Sequence, residues 1–202
     1  FFLRMRKVIP GTEEKVCVGI LGSTSFFDRT GTSENVCKAI GQEISKRNKF
    51  FLISGGLSGV AETAVVNVSD ENRVINILPI GTPRVIHYGK HLECGRSMEE
   101  RRTELAQVCS VYFMVEGGPG TVDEAEKVLH LNPTALLIPI TKTGGACSGM
   151  FFNDANSFIN RVENRMKEIL KLGADEKLID LYKQEIANPS TFIEEIFDCF
   201  DV

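Results

Sequence analysis

Glu116–Glu124 reads EGGPGTVDE and joins an apolar run, Val111–Val115 (VYFMV), to a stretch of helical spacing that continues to about His130. Strand, glycine turn, helix is the plain reading. Gly117 and Gly118 permit backbone conformations closed to other residues and let a ligand approach the main chain. Pro119 suits the first helical position, where its missing N–H costs least. The amides of Gly120 and Thr121 then lie at a helix N-terminus and, with the helix dipole, favour an anion; the Thr121 hydroxyl adds a donor. A glycine turn that merely connects strand to helix has the same look, so the surroundings must decide.

Working outward, apolar runs alternate with helical patterns. Val16–Leu21, Phe50–Ile53, Val74–Leu78, Val111–Val115 and Ala135–Ile140 read as strands. Between them Cys37, Ile40 and Ile44 share one helical face behind a cap at Ser33, and Val60, Ala61, Ala64 and Val65 face inward on a short helix. Gly81–Arg96 reads as a long loop, and Ser97 with Glu100 has the spacing of a capping box. Beyond about Asn156 the pattern is helical: Phe158, Val162, Met166 and Leu170 form one stripe, Leu178, Leu181 and Ile186 a second, and Phe192–Phe200 a third. The expectation is an α/β fold: a doubly wound, Rossmann-like parallel sheet with helices on both faces and a helical C-terminal tail. Its organisation is an N-terminal extension over 1–15 and one nucleotide-binding domain over 16–202, of which 155–202 is the tail. Right-handed crossovers give the five strands the order 3-2-1-4-5, so the first and fourth meet at the switch point, where ligands bind. Three glycine turns sit at such strand ends: Gly22–Ser23, Gly55–Gly59 and Gly117–Gly120. That convergence makes Gly22, Ser23, Gly55, Gly56, Gly117, Gly118, Gly120 and Thr121 the candidate phosphate- and nucleotide-binding set.

Two charged residues complete the pattern. Met98, Arg101, Leu105 and Val108 follow a three-four-three spacing, so Arg101 faces inward and needs an anionic partner: Glu124, a ligand phosphate, or both. A structural ion pair is the competing explanation. Glu124 lies three residues after Thr121 and leans back toward the helix N-terminus. A carboxylate beside a phosphate makes sense if positive charge develops on the sugar, as in cleavage of an N-glycosidic bond. A solvated helix face, shared with Asp123 and Glu126, accounts for Glu124 equally well.

Composition narrows the rest. The chain has 202 residues, 23 basic and 27 acidic side chains and a net charge of −4, against the basic face of a nucleic-acid binder. Six cysteines without a CxxC pair, mostly within apolar runs, suggest a reducing, cytoplasmic compartment. No apolar run reaches about 18 residues, so no membrane span is expected. The start at Phe1–Phe2, without Met, has the look of a trimmed or processed end. His87, His91 and Cys94 have a metal-like spacing but lack further ligands, so neither metal nor cofactor is expected and this loop reads as a substrate contact. Phe151–Phe152 suits either a stacked base or core packing.

The stretch Ser97–Val128 resembles the Lonely Guy family, cytokinin-activating nucleotide phosphoribohydrolases once labelled lysine decarboxylase-like. Met98, Arg101, Gly117, Gly118, Gly120, Thr121 and Glu124 match its Met-x-x-Arg-Lys and Pro-Gly-Gly-x-Gly-Thr-x-x-Glu motifs, and the first two glycine turns match as well. The resemblance spans about residues 16–140. It implies a homodimer that hydrolyses an AMP-like nucleoside 5′-monophosphate to free base and ribose 5-phosphate, with Arg101 and Glu124 as the catalytic pair. Glu116 stands where the motif has proline, Arg102 where it has lysine and Ser54 where it has glycine. The segment TKTGGACSG (141–149) and the helical tail look closer to the wider Rossmann-like nucleotide-binding group that includes molybdenum-cofactor carriers. The alternative to an enzyme is therefore a non-catalytic nucleotide or cofactor carrier or sensor.

Overall fold

A computed structural model describes residues 8–170 and 174–200; the first seven residues of the expected N-terminal extension lie outside the described residues. Six strands form one parallel sheet: β1 (Val16–Gly22), β2 (Phe50–Ser54), β3 (Val74–Leu78), β4 (Lys90–Glu93), β5 (Val111–Val115) and β6 (Leu136–Pro139), in the order β4-β3-β2-β1-β5-β6. The expected order holds for the five strands read from the sequence. β1 is central, with Gly19 opposite Ile53 of β2 and Tyr112 of β5. β3 and β5 are buried along their whole length, as expected of strands covered by helices on both faces.

β4 is a correction, because it lies inside the segment read as a loop. It pairs with β3 through Ile75–Lys90 and Leu78–Glu93. Its residues, Lys-His-Leu-Glu, are exposed or half-buried at the sheet edge. An edge strand with charged ends carries no continuous apolar signal, and such charge discourages further pairing.

The helices are α1 (Thr32–Lys46), α2 (Val60–Val66), α3 (Met98–Val108), α4 (Pro119–Leu131), α5 (Ala155–Ile169), α6 (Ala174–Leu181) and α7 (Pro189–Phe200). Ser33 does not cap α1. Gly31 holds the cap position and Asp28 Oδ2 accepts the Ser33 amide at 3.0 Å, so an acid upstream does the work expected of the serine. Ser97 does cap α3, accepting the Glu100 amide at 3.1 Å, while the Glu100 carboxylate takes the Arg96 amide, one residue earlier than in a capping box.

The expected tail stripes are largely buried, with Leu170 and Ile186 half-buried. Phe158, Val162 and Met166 of α5 face the core, as do Leu178 and Leu181 of α6. Phe197 of α7 stacks on Phe113 of β5 and meets Phe50 of β2 edge-on, each at 5.3 Å between ring centroids. Phe197→Ala would remove a fully buried ring between two strands, at a cost of about 3–5 kcal/mol. A urea titration should show that loss as a lower midpoint with an unchanged slope; a cost below about 1 kcal/mol would mean that α7 is not part of the core.

Candidate functional site

The β5–α4 turn carries the candidate cradle. Gly117 adopts φ +103, and its α-hydrogen faces Thr121, where an added Cβ would lie 2.6 Å from the threonine side chain. Gly118 is the cap residue of α4 and Pro119 follows at the first helical position. The Thr121 amide, expected to face a ligand, instead donates to the Gly118 carbonyl at 3.0 Å, because a cap residue's carbonyl accepts the first bonds of its own helix. Thr121 itself is buried. The Gly120 amide has no such partner among the described residues, and Gly118 faces open space. The surface open to an anion is thus Gly118–Gly120, with Thr121 beneath it.

Arg101 faces inward as its spacing predicted and is 2% exposed. Its Nη1 donates to Glu124 Oε1 at 2.6 Å. Burial pushes the Glu124 carboxyl up, and the Arg101 charge, followed by that of Arg102, pulls it part of the way back. The net direction is upward from the ordinary 4.5, which brings the group toward the range useful for proton transfer. The Nε atoms of Arg101 and Arg102 are buried without a hydrogen-bond partner among the described residues, leaving donors unspent around this pair. Arg102 ion-pairs with Asp123 and lies against the first turn of α4, 2.9 Å from where a Cβ on Gly120 would stand.

The other two glycine turns serve this pair and its cradle. A Cβ on Gly55 would lie 2.6 Å from Arg101 Nη1, so the second turn must be glycine for the guanidinium to reach Glu124. Gly56, at φ +69, packs on Leu78 and donates its amide to Ser54 Oγ at 3.0 Å. Gly22 lies between the Val115 carbonyl and Val60, allowing β5 and α2 to approach. Ser23 Oγ donates to Glu116 Oε2 at 2.9 Å. The Arg101 side chain and the Glu116 carboxylate therefore link all three turns.

Three features escaped sequence reasoning. Glu116 is fully buried and points away from the cradle, toward the loop after β1. The segment 141–149 braces the cradle from behind: the Ala146 amide donates to the Gly117 carbonyl at 2.8 Å and the Cys147 amide to the Glu116 carbonyl at 3.2 Å. Phe151 and Phe152 also part company. Phe152 stacks on Phe158 at 3.9 Å, whereas Phe151 is 51% exposed in a left-handed conformation (φ 71). Phe27 and Met150 are exposed too. Residues 144–145 carry consecutive positive φ values, a signal visible in the sequence as Gly-Gly.

Elsewhere, His91 Nε2 bonds the Ile86 carbonyl, and among the described residues no group of histidine, cysteine and acidic side chains is arranged to hold a metal. None of the six cysteines forms a disulfide, and five are buried. No helix among the described residues is long and apolar enough to cross a membrane. A groove of about 830 Å³ runs along the outer side of α4 beside α5, lined by Thr103, Lys127, His130, Arg161 and Arg165 among others. Its charges are already matched, Arg161 to Glu126 at 2.6 Å and Lys127 to Asp123 at 2.9 Å, and Arg165 bonds the last carbonyls of α4. The buried pair and the glycine turns are therefore the better place for chemistry.

Arg101→Met should cost about 3–5 kcal/mol near neutral pH, because it leaves Glu124 buried and unpaired. With the arginine gone, burial, opposed now only by the Arg102 charge, raises the folded-state carboxyl further above its unfolded value of about 4.5. The folded state then binds the proton more tightly than the unfolded chain, so the deficit is full above the folded pKa and shrinks as pH falls toward 4.5. Urea midpoints measured from about pH 8 down to pH 5 check the sign; a pH-independent deficit would contradict it.

Comparison with known proteins places these features. Residues 15–169 match the family described as LDcluster4, SLOG cluster4 family. Among solved structures the chain is similar to TM1055, a structural genomics target, at 21% identity over 66% of this chain and 79% of that one, with a TM-score of 0.58. It is similar to the molybdenum cofactor binding protein of the phototrophic bacterium Rippkaea orientalis at 21% identity over 74% and 88% of the two chains, TM-score 0.55. It is also similar to DNA processing protein A of Helicobacter pylori, which binds single-stranded DNA, at 16% identity over 93% and 82%, TM-score 0.53. At these identities the solved structures establish the fold alone. No curated protein matches the chain in sequence. The family match covers all six strands and both motifs, and the chain belongs to the SLOG cluster4 family, with a Rossmann-like α/β fold.

Proposed function

We propose that this chain is a nucleoside 5′-monophosphate phosphoribohydrolase, cleaving the N-glycosidic bond of an AMP-like nucleotide to give free base and ribose 5-phosphate. The observation that carries the reading is the buried ion pair, 2.6 Å apart, between Arg101 of α3 and Glu124 of α4, the helix whose cap forms the glycine cradle. The phosphate sits at Gly118 and Gly120, within the field of the α4 N-terminus. Arg101 holds and orients Glu124. The Glu124 carboxylate stabilises the positive charge that develops at the ribose carbon, or takes a proton from the attacking water. Water adds across the bond: its hydroxyl goes to the ribose carbon, the bonding pair leaves with the base, and the proton reaches the base. The exposed rings of Phe27 and Phe151 offer the base an apolar surface. The Lonely Guy resemblance supports the same pair and adds a homodimer.

A second reading, a nucleotide or cofactor carrier, has one observation in its favour. Glu124 is already neutralised by Arg101 without ligand, as suits a structural pair. The likeness to a molybdenum cofactor binding protein points the same way. Binding of single-stranded DNA has less support, since the net charge is −4.

Incubation with a panel of nucleoside monophosphates should release free base, and Glu124→Gln should lower turnover by about 10²–10⁴-fold. The active form is the carboxylate, so activity should fall as pH drops, with a midpoint above the ordinary 4.5 because burial raises the group. No base from any monophosphate, together with unchanged ligand affinity in Glu124→Ala, would contradict catalysis. A tightly held cofactor that co-purifies and is never turned over would favour the carrier.

A further inference from the structure

Glu116 combines three costs. It is a non-glycine residue at φ 52, it is fully buried, and it carries a charge. The carboxylate is met by three donors: the Ser23 hydroxyl and the Phe27 amide, both to Oε2 at 2.9 Å, and the Asp28 amide to Oε1 at 2.9 Å. All three belong to the loop between β1 and α1. In open α/β sheets the first strand–helix turn is where a dinucleotide's pyrophosphate rests, on loop amides and the helix N-terminus. Here an acid from the turn after β5 occupies those amides. The helix end is filled as well, since Asp28 accepts the Ser33 amide at 3.0 Å and the Thr30 amide at 2.8 Å. On the other side of the switch point Gly118 is open and the Gly120 amide uncommitted.

We propose that Glu116 is a specificity-determining residue: a resident anion that fills the phosphate position of the first turn and restricts the crevice to ligands with a single phosphoryl group, seated on Gly118–Gly120. Nucleoside diphosphates and dinucleotides are excluded, because a second phosphoryl group meets a fixed carboxylate that already holds the Ser23, Phe27 and Asp28 donors. This deepens the nucleotide reading above and rests on it. Like charges brought together in a buried site are strongly disfavoured, and the exclusion is electrostatic as well as steric.

Glu116→Gly is the most informative variant, since glycine accepts the left-handed backbone and removes the carboxylate. Glu116→Gln keeps the side chain's shape and removes only the charge. Formate, tested by thermal denaturation, should stabilise Glu116→Gly more than the natural protein, because a small anion refills the vacated donors. Calorimetric titration of AMP and ADP should show a preference for AMP in the natural protein that falls by at least about tenfold in both variants. Absence of any anion response in Glu116→Gly, or an unaltered AMP-to-ADP ratio, overturns the assignment. If AMP binds and the ratio stays fixed, the nucleotide reading stands and only the role of Glu116 falls. If neither nucleotide binds the natural protein, the nucleotide reading fails and the selection falls with it.

Discussion

The buried carboxylate of Glu116 ties the loop after β1 to the turn after β5, the two segments that meet at the centre of the sheet. A left-handed non-glycine residue costs about 1–3 kcal/mol. Burying its charge costs several kcal/mol more. Three charge-assisted hydrogen bonds at about 1.5–3 kcal/mol each are of the size needed to offset both. The backbone of the same residue is held too, its amide by Thr143 Oγ1 at 2.9 Å and its carbonyl by the Cys147 amide at 3.2 Å. The cradle therefore stands on a frame fixed before any ligand arrives, the condition under which backbone dipoles stabilise charge most effectively.

A second constraint acts beside the first. Arg101 reaches Glu124 across the second glycine turn, and the missing Cβ of Gly55 makes the passage. In a buried site the guanidinium and the carboxylate determine each other's charge state, and the carboxyl remains above its ordinary range because burial outweighs the arginine. A carboxylate poised in this way can stabilise a nearby cation or exchange a proton, and the same pair can serve as a simple brace. The unspent buried Nε of Arg101 belongs to a pair with capacity for one more partner.

Much of this was legible in the residues. Continuous apolar runs gave five strands, since buried parallel strands announce themselves by composition. The inward turn of Arg101 followed from helical spacing, and the chemistry of buried charge required an anionic partner, which the fold supplies as Glu124. β4 was not legible, because Lys90–Glu93 is a half-exposed edge held by its neighbour rather than by its own pattern. The role of Glu116 was hidden for a related reason. Its three donors come from residues 23–28, and no local signal in EGGPGTVDE shows which way the side chain turns. In the sequence Glu116 is only a departure from the motif's proline, whereas in the fold its carboxylate is spent on the neighbouring loop. The split between Phe151 and Phe152 likewise depends on Phe158, which only the fold brings alongside.

The central claim is that the ligand of this protein lies at the switch point, on the α4 cradle beside Arg101 and Glu124. Amide chemical-shift mapping during titration with AMP tests it directly. The account predicts that the largest changes fall on Gly117–Glu124, Gly55 and Phe27. Changes confined to Thr103, Lys127 and Arg161–Arg165, which line the outer groove of α4 and α5, would place the ligand elsewhere and contradict it.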